Sequence, residues 1–441
     1  MKLKNNRILT FILGILLMYP TLSFGQSQPV LIGYWHNWNS VEAPFISLDN
    51  IDSTYNVIVI SFALPTSPSD MTMTFVPEQY TQSAFIADIQ ELQNDGKKVL
   101  LSIGGATGVI NLSDNTQKQN FITSLNNLIA TYGFDGLDID IEHGDCISAS
   151  GTISAPTNVG TTNLISAIQS IMNTYQTTYG HKMWLTMAPE TAYVQGGMSA
   201  YGSIWGGYLP LIHALRNELD VVSVQLYNSG TIYGLDGAIY TQGTADFIVA
   251  LTEATICGFN TTGGFFTGLP ASKVAVGLPA CVSAAGGGFT DTAVVSSAIK
   301  YLKGEGPKPG SYTLVNPEGY PDLRGMMTWS INWDAVNCCG AYTFAQNFRD
   351  LFIPQVINGI YQNVINDSFY LYPNPAKDYL VVKMPNDIPD YKWITITDLN
   401  GKVVKTSLTN FIQPIEVGDL TNGIYVLTID QNKSMKFVIN R

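Results

Sequence analysis

The chain of 441 residues sets 22 lysines and arginines against 34 aspartates and glutamates, a formal charge of −12 that repels nucleic acid and anionic lipid and excludes both as partners. Only 13% of the residues are charged, whereas Phe, Trp and Tyr together make up 11%, a balance suited to an uncharged, ring-shaped ligand that stacks on aromatic side chains.

At the amino terminus Lys2, Lys4 and Arg7 precede the apolar run 8–18, and Ser23 and Gly25 supply the small residues of a cleavage site. Residues 1–25 therefore read as a secretory signal peptide. No later stretch holds 18 apolar residues in a row, so the mature chain is not expected to span a membrane. Export draws attention to the five cysteines, Cys146, Cys257, Cys281, Cys338 and Cys339. Their odd number leaves at least one thiol free or bonded between chains, and the pairing stays open. None has metal-ligand spacing, and His36, His143, His181 and His213 form no His-Glu-x-x-His pattern. No metal, no cofactor and a monomeric chain are expected.

Eight short apolar runs follow, at residues 30–35, 56–64, 98–105, 134–142, 183–190, 221–228, 274–280 and 325–333. Between them, segments such as 79–94, 117–131, 162–178 and 290–302 repeat apolar residues at intervals of three and four and read as helices. This alternation predicts an α/β fold, a closed parallel (β/α)8 TIM barrel over residues 28–355, with its site on the loops at the carboxyl ends of the strands.

The first run closes on Tyr34 and Trp35, both assigned to ligand contact. The third ends in Ser102-Ile-Gly-Gly105, where Gly104 and Gly105 let the backbone pass close to the fourth strand and Ser102 reaches that strand's acids. The fourth contains Gly133-Phe-Asp-Gly-Leu-Asp-Ile-Asp-Ile-Glu142. A period of two puts Asp138, Asp140 and Glu142 on one face and Leu137, Ile139 and Ile141 on the other. Acids one alternation apart lie about 6–7 Å from each other, close enough to force one of them to hold a proton near neutral pH, as general acid catalysis requires. Asp135, where the run begins, is expected to support structure. On the fifth run, Met187 offers soft apolar surface to an acetyl group. Gln225 and Tyr227 share one face of the sixth, with the Tyr227 hydroxyl available to a carbonyl. Trp329 on the eighth makes a flat floor for a sugar, and Trp38, Trp205 and Trp333 are outlying candidates.

From about Asn366 the helical period disappears. Residues 379–383, 392–397, 402–407, 415–417 and 424–429 read as strands separated by Asn-Pro, Asn-Gly and Gly-Asp turns. Residues 356–368 are expected to form a linker and 369–441 a small all-β sandwich concerned with addressing or attachment.

In these residues the chain resembles the family 18 glycoside hydrolases. Asp135-Gly-Leu-Asp-Ile-Asp-Ile-Glu142 matches their D-x-x-D-x-D-x-E signature, and Ser102-Ile-Gly-Gly105 their third-strand S-x-G-G. With 185–190, 225–228 and Trp329, the likeness covers roughly residues 28–355 and looks most like bacterial and plant-type chitinases with M-A-P-E and Q-x-Y-N elements. It implies hydrolysis of chitin or N-acetylglucosamine oligosaccharides with retention and without an enzymic nucleophile. In that scheme Glu142 protonates the glycosidic oxygen while the substrate's 2-acetamido carbonyl attacks the anomeric carbon. Asp140 orients the acetamido N–H and shares a proton with Asp138, Tyr227 holds the acetyl oxygen, and Trp329 supports the distorted sugar.

Family members that bind chain ends in a tunnel usually carry a larger inserted domain where this chain has only residues 281–324, so an open cleft and endo-type cutting are expected. An endo-β-N-acetylglucosaminidase acting on N-linked glycans is the alternative. A silent chitin-binding lectin is another, although such proteins usually lack the acid present here as Glu142. The tail resembles the sorting domain of the type IX secretion system, through Tyr372-Pro-Asn-Pro-Ala376, Asn400-Gly-Lys-Val-Val404, Gly423-Ile-Tyr-Val426 and Lys436-Phe-Val-Ile-Asn-Arg441. That likeness implies the outer-membrane secretion machinery as partner and a secreted, extracellular or surface-attached protein. A carbohydrate-binding sandwich is the other reading of the tail.

Overall fold

A computed structural model describes residues 28–336, 340–353, 370–383, 392–399, 401–409, 414–429 and 433–441. In it the eight apolar runs are eight strands: β1 (Val30–His36), β2 (Val57–Pro65), β3 (Lys98–Ile110), β4 (Gly136–Gly144), β5 (Trp184–Met187), β6 (Val221–Gln225), β7 (Val274–Pro279) and β8 (Gly325–Trp329). Each pairs in parallel with the next, and β8 returns to β1 with Gly325 opposite Val30, so the sheet closes into a barrel. Around it run α1 (Gln82–Asn94), α2 (Asn115–Tyr132), α3 (Val159–Tyr179), α4 (Leu209–Leu215), α5 (Ala245–Cys257), α6 (Thr292–Leu302) and α7 (Thr343–Phe352). Among the described residues no helix is long and apolar enough to cross a membrane.

Strand alternation divides the barrel's side chains into two populations. Leu31, Trp35, Leu137, Ile139, Ile141 and Met187 belong to the large core shared with the helices, whereas Val30, Ile32, Tyr34, Val57, Val59 and Met327 fill the barrel interior. Toward the carboxyl ends the interior turns polar, with Ser61, Ser102, Asp138, Thr186, Ser223, Gln225 and Thr328 all buried.

Three runs are shorter than their apolar lengths predict. β5 stops at Met187 ahead of Pro189, β6 stops at Gln225, and β8 stops at Trp329, after which the Ser330 hydroxyl caps the helical turn Ile331–Ala335. These early endings release the chain into the loops that build the site. Helix α5 carries no sequence period because Phe247 to Thr255 are all buried, which removes the polar stripe that periodicity needs. Its acids instead tie down the β7–β8 connection. Asp246 accepts the N–H groups of Ser311 and Tyr312, and Glu253 accepts from the Tyr312 and Tyr320 hydroxyls. No inserted domain intervenes between β7 and β8; the connection holds α6 and this tethered segment.

The chain divides into two compact units at 355/356. The second contains a three-stranded sheet of β9 (Tyr370–Tyr372), β10 (Tyr379–Lys383) and β13 (Ile415–Glu416), and a four-stranded sheet of β11 (Lys392–Asp398), β12 (Val403–Thr409), β14 (Gly423–Ile429) and β15 (Lys433–Ile439). Leu371, Leu380, Ile394, Ile396, Leu427 and Phe437 make its apolar core. Cys146, Cys257 and Cys281 are free thiols. Cys338 and Cys339 and the segments expected to be a signal peptide and a linker lie outside the described residues.

Candidate active site

Asp138, Asp140 and Glu142 point into the barrel from β4, and the three have different environments. Asp138, 1% exposed, is saturated with hydroxyl donors: Tyr34 and Ser102 each donate to Oδ2 at 2.7 Å, and Thr186 donates to Oδ1 at 2.5 Å. Burial raises its pKa and the three hydroxyls oppose the rise. Among the described residues, Asp140, 4% exposed, receives only the Gln225 amide, at 2.8 Å. Burial first, then the charges of Glu142 and Asp138, hold its carboxyl well above the usual range. Glu142 takes a longer contact of 3.3 Å from the same Nε2, and burial raises it too.

Gln225 also donates to the Ala188 carbonyl at 2.9 Å, so its two amide protons serve three acceptors and the two carboxyls divide what Ala188 leaves. Gly104 permits this closeness at the neighbouring strand. Its φ is +107°, and a Cβ there would sit 2.4 Å from the Asp140 carbonyl oxygen. Gly105, with φ +68°, leaves room for the Phe62 ring, which a Cβ would meet at 2.7 Å. Asp135 lies at the opposite, amino-terminal end of β4, where it accepts from Lys98, Gln93 and the Val99 N–H.

Above the column opens a cavity of about 440 Å³, lined among others by Tyr34, Trp38, Phe62, Glu78, Asp140, Glu142, Glu190, Gln225, Tyr227, Asn228 and Trp329. Tyr227 is buried, and no described group hydrogen-bonds its hydroxyl. The Trp329 ring is stacked 5.9 Å from Phe62 at 13° and lies within 6.3 Å of Trp38 and 5.7 Å of Tyr34. His36 stacks on Trp38 at 4.5 Å, and burial pulls its imidazole down to about 4, making it a neutral prop in this aromatic group.

Two nominated ligand contacts are placed elsewhere. Trp35 is fully buried in the outer core and donates its indole N–H to the Ile46 carbonyl at 2.7 Å. Met187 is likewise fully buried on the helix side of β5. Alternation is the reason: Tyr34 and Thr186 face inward, so their successors face out. Among the outlying tryptophans, Trp38 lines the cavity, while Trp205 packs over Gly196 and Trp333 sits on the turn after Trp329, neither of them on the cavity wall. Glu78 and Glu190 also line the cavity: Glu78 lies in a loop with no period to read, while Glu190 ends the fifth run and the M-A-P-E element without a role assigned from the sequence.

Residues 30–347 match the profile of the glycosyl hydrolases family 18, and residues 370–440 that of a secretion system C-terminal sorting domain. Chitinase Chi52 of Paenibacillus xylanexedens is 47% identical over 326 residues, which cover 71% of this chain and 61% of that one. Chitinase D of Niallia circulans is 47% identical over 327 residues, covering 71% and 62%. The chain thus spans about three fifths of the length of these two relatives. A family GH18 chitinase structure from Chromobacterium violaceum superposes with a TM-score of 0.66 at 36% identity, over 74% of this chain and 83% of that one. The chain belongs to family 18 of the glycosyl hydrolases and carries a C-terminal secretion sorting domain that marks it as a secreted or cell-surface protein.

Proposed function

We propose that the protein is an endo-acting chitinase that cuts β-1,4 bonds between N-acetylglucosamine units by a retaining, substrate-assisted mechanism. The observation that carries this reading is the sharing of one Gln225 amide between Asp140 and Glu142 beside the uncommitted Tyr227 hydroxyl. Two acids short of donors in a buried site retain a proton near neutral pH, and Glu142, at the mouth of the column, delivers it to the bridging oxygen. Asp140 accepts the acetamido N–H and Tyr227 donates to the acetyl oxygen, which turns the carbonyl toward the anomeric carbon. The attack is then intramolecular, where orientation recovers on the order of 7–11 kcal/mol of barrier. Family 18 stands outside the two-carboxylate scheme of most glycosidases for this reason. The acetyl oxygen bonds to the anomeric carbon and closes an oxazolinium ring as the glycosidic bond breaks and the leaving group departs with the Glu142 proton; Glu142, now an anion, then takes a proton from the water that adds at the anomeric carbon and reopens that ring.

The relatives' names support the substrate, and the short, tethered β7–β8 connection supports an open cleft and endo-type cutting. The sorting domain is read as the handle for the outer-membrane secretion machinery. The test compares chitin oligomers, their de-N-acetylated counterparts and a high-mannose glycoprotein. Cleavage of the first alone is expected. Rapid hydrolysis of the de-N-acetylated chain would remove the substrate's amide from the mechanism, and glycan release would move the protein to the endo-β-N-acetylglucosaminidases.

A further inference from the structure

Glu190 is a carboxyl that the mechanism above leaves without a task. Its backbone bridges to that of Gln225 and its carbonyl accepts the Tyr193 N–H, which brings its side chain into the cavity that holds Asp140 and Glu142. The side chain is half-buried. Among the described residues no donor hydrogen-bonds it, and no lysine or arginine lines the cavity. Around it stand Glu142, Asp140 and His143 from β4, Tyr227 after β6, and Tyr193 from its own loop. Only His143 can bring positive charge. Burial and then the charge of Glu142 push the Glu190 carboxyl up, and His143 opposes them.

A carboxyl that served the fold would be tied to donors, and one that held a loop would be paired. Glu190 is neither. Two carboxyls lining one cavity oppose each other's ionisation, so the pair holds its last proton more tightly than either acid would alone. We propose that Glu190 is a positioning residue for the catalytic proton: sharing the cavity of Glu142 with no donor of its own, it keeps that proton on Glu142 until a substrate oxygen takes it. This rests on reading Glu142 as the acid.

The test follows kcat/KM of the full chain on a soluble chitin oligomer across its active pH range. In Glu190→Gln the alkaline limb moves to lower pH by about 0.5–1 unit, a loss of roughly three- to tenfold on that limb. Glu190→Asp, which keeps the charge, returns the limb toward the parent. With a dinitrophenyl glycoside, whose leaving group needs no proton, the displacement vanishes. An alkaline limb that stays in place, an equal loss at every pH, or a rise in KM alone overturns the proposal. A parent chain that cleaves no chitin oligomer overturns the reading of function instead, so the two failures are distinguishable.

Discussion

Glu253 on α5 and the Asp140–Glu142 pair on β4 are acids withdrawn from water in the same barrel domain, and they are provisioned in opposite ways. Glu253, fully buried, accepts from the Tyr312 hydroxyl at 2.6 Å, the Tyr320 hydroxyl at 2.7 Å, the Val315 N–H at 2.8 Å and the Asn316 N–H at 3.2 Å. Asp140 and Glu142 divide a single amide. Donors stabilise the anion and fix whatever carries them, whereas their shortage keeps a proton bound and ready to move. Burial alone therefore does not distinguish a structural carboxyl from a reactive one. The supply of donors does.

The largest test of that contrast is Glu142→Gln, which is expected to lower kcat on chitin oligomers by about 10²–10⁴-fold with the melting temperature held. A melting temperature that fell with the activity would break the comparison. Next is Tyr227→Phe, which removes one donor aimed at the acetyl oxygen and is expected to lower kcat by about 10²–10³-fold with little change in KM. Glu253→Gln is the mirror experiment. It sets an amide against donors that need an acceptor and is expected to lower unfolding free energy by about 1–3 kcal/mol, read by denaturant titration, while the pH–rate profile keeps its shape.

The smallest effect expected is on stability in Asp140→Asn. A carboxyl whose pKa is raised in the folded state binds more protons there than in the unfolded chain, so its contribution is full below the unfolded pKa and is lost as pH rises through the folded one. The variant escapes that loss, and its melting temperature relative to the parent should climb with pH over this window. A flat difference would show that Asp140 carries no strain of this kind.

The barrel was legible because eight apolar runs and their helical intervals follow from periods of two and three to four. The acid column was legible for the same reason, since Leu137, Ile139 and Ile141 announce the opposite face. The same rule, carried one residue further, turns Trp35 and Met187 outward; the chemistry of their side chains suits a ligand, and geometry overrules it. Helix α5 was hidden by being buried nearly all round, and the partners of Glu253 lie about sixty residues away along the chain. Glu190 enters the site through the pairing of β5 with β6, which sets its backbone beside that of Gln225.

The hydroxyls on Asp138 come from three other strands: Tyr34 from β1, Ser102 from β3 and Thr186 from β5. What reads as an eight-letter motif is in physical terms a four-stave object. An engineer who grafted Asp135 to Glu142 into a foreign barrel would move the carboxylates without the groups that settle their charge, and the graft would need all four staves to work.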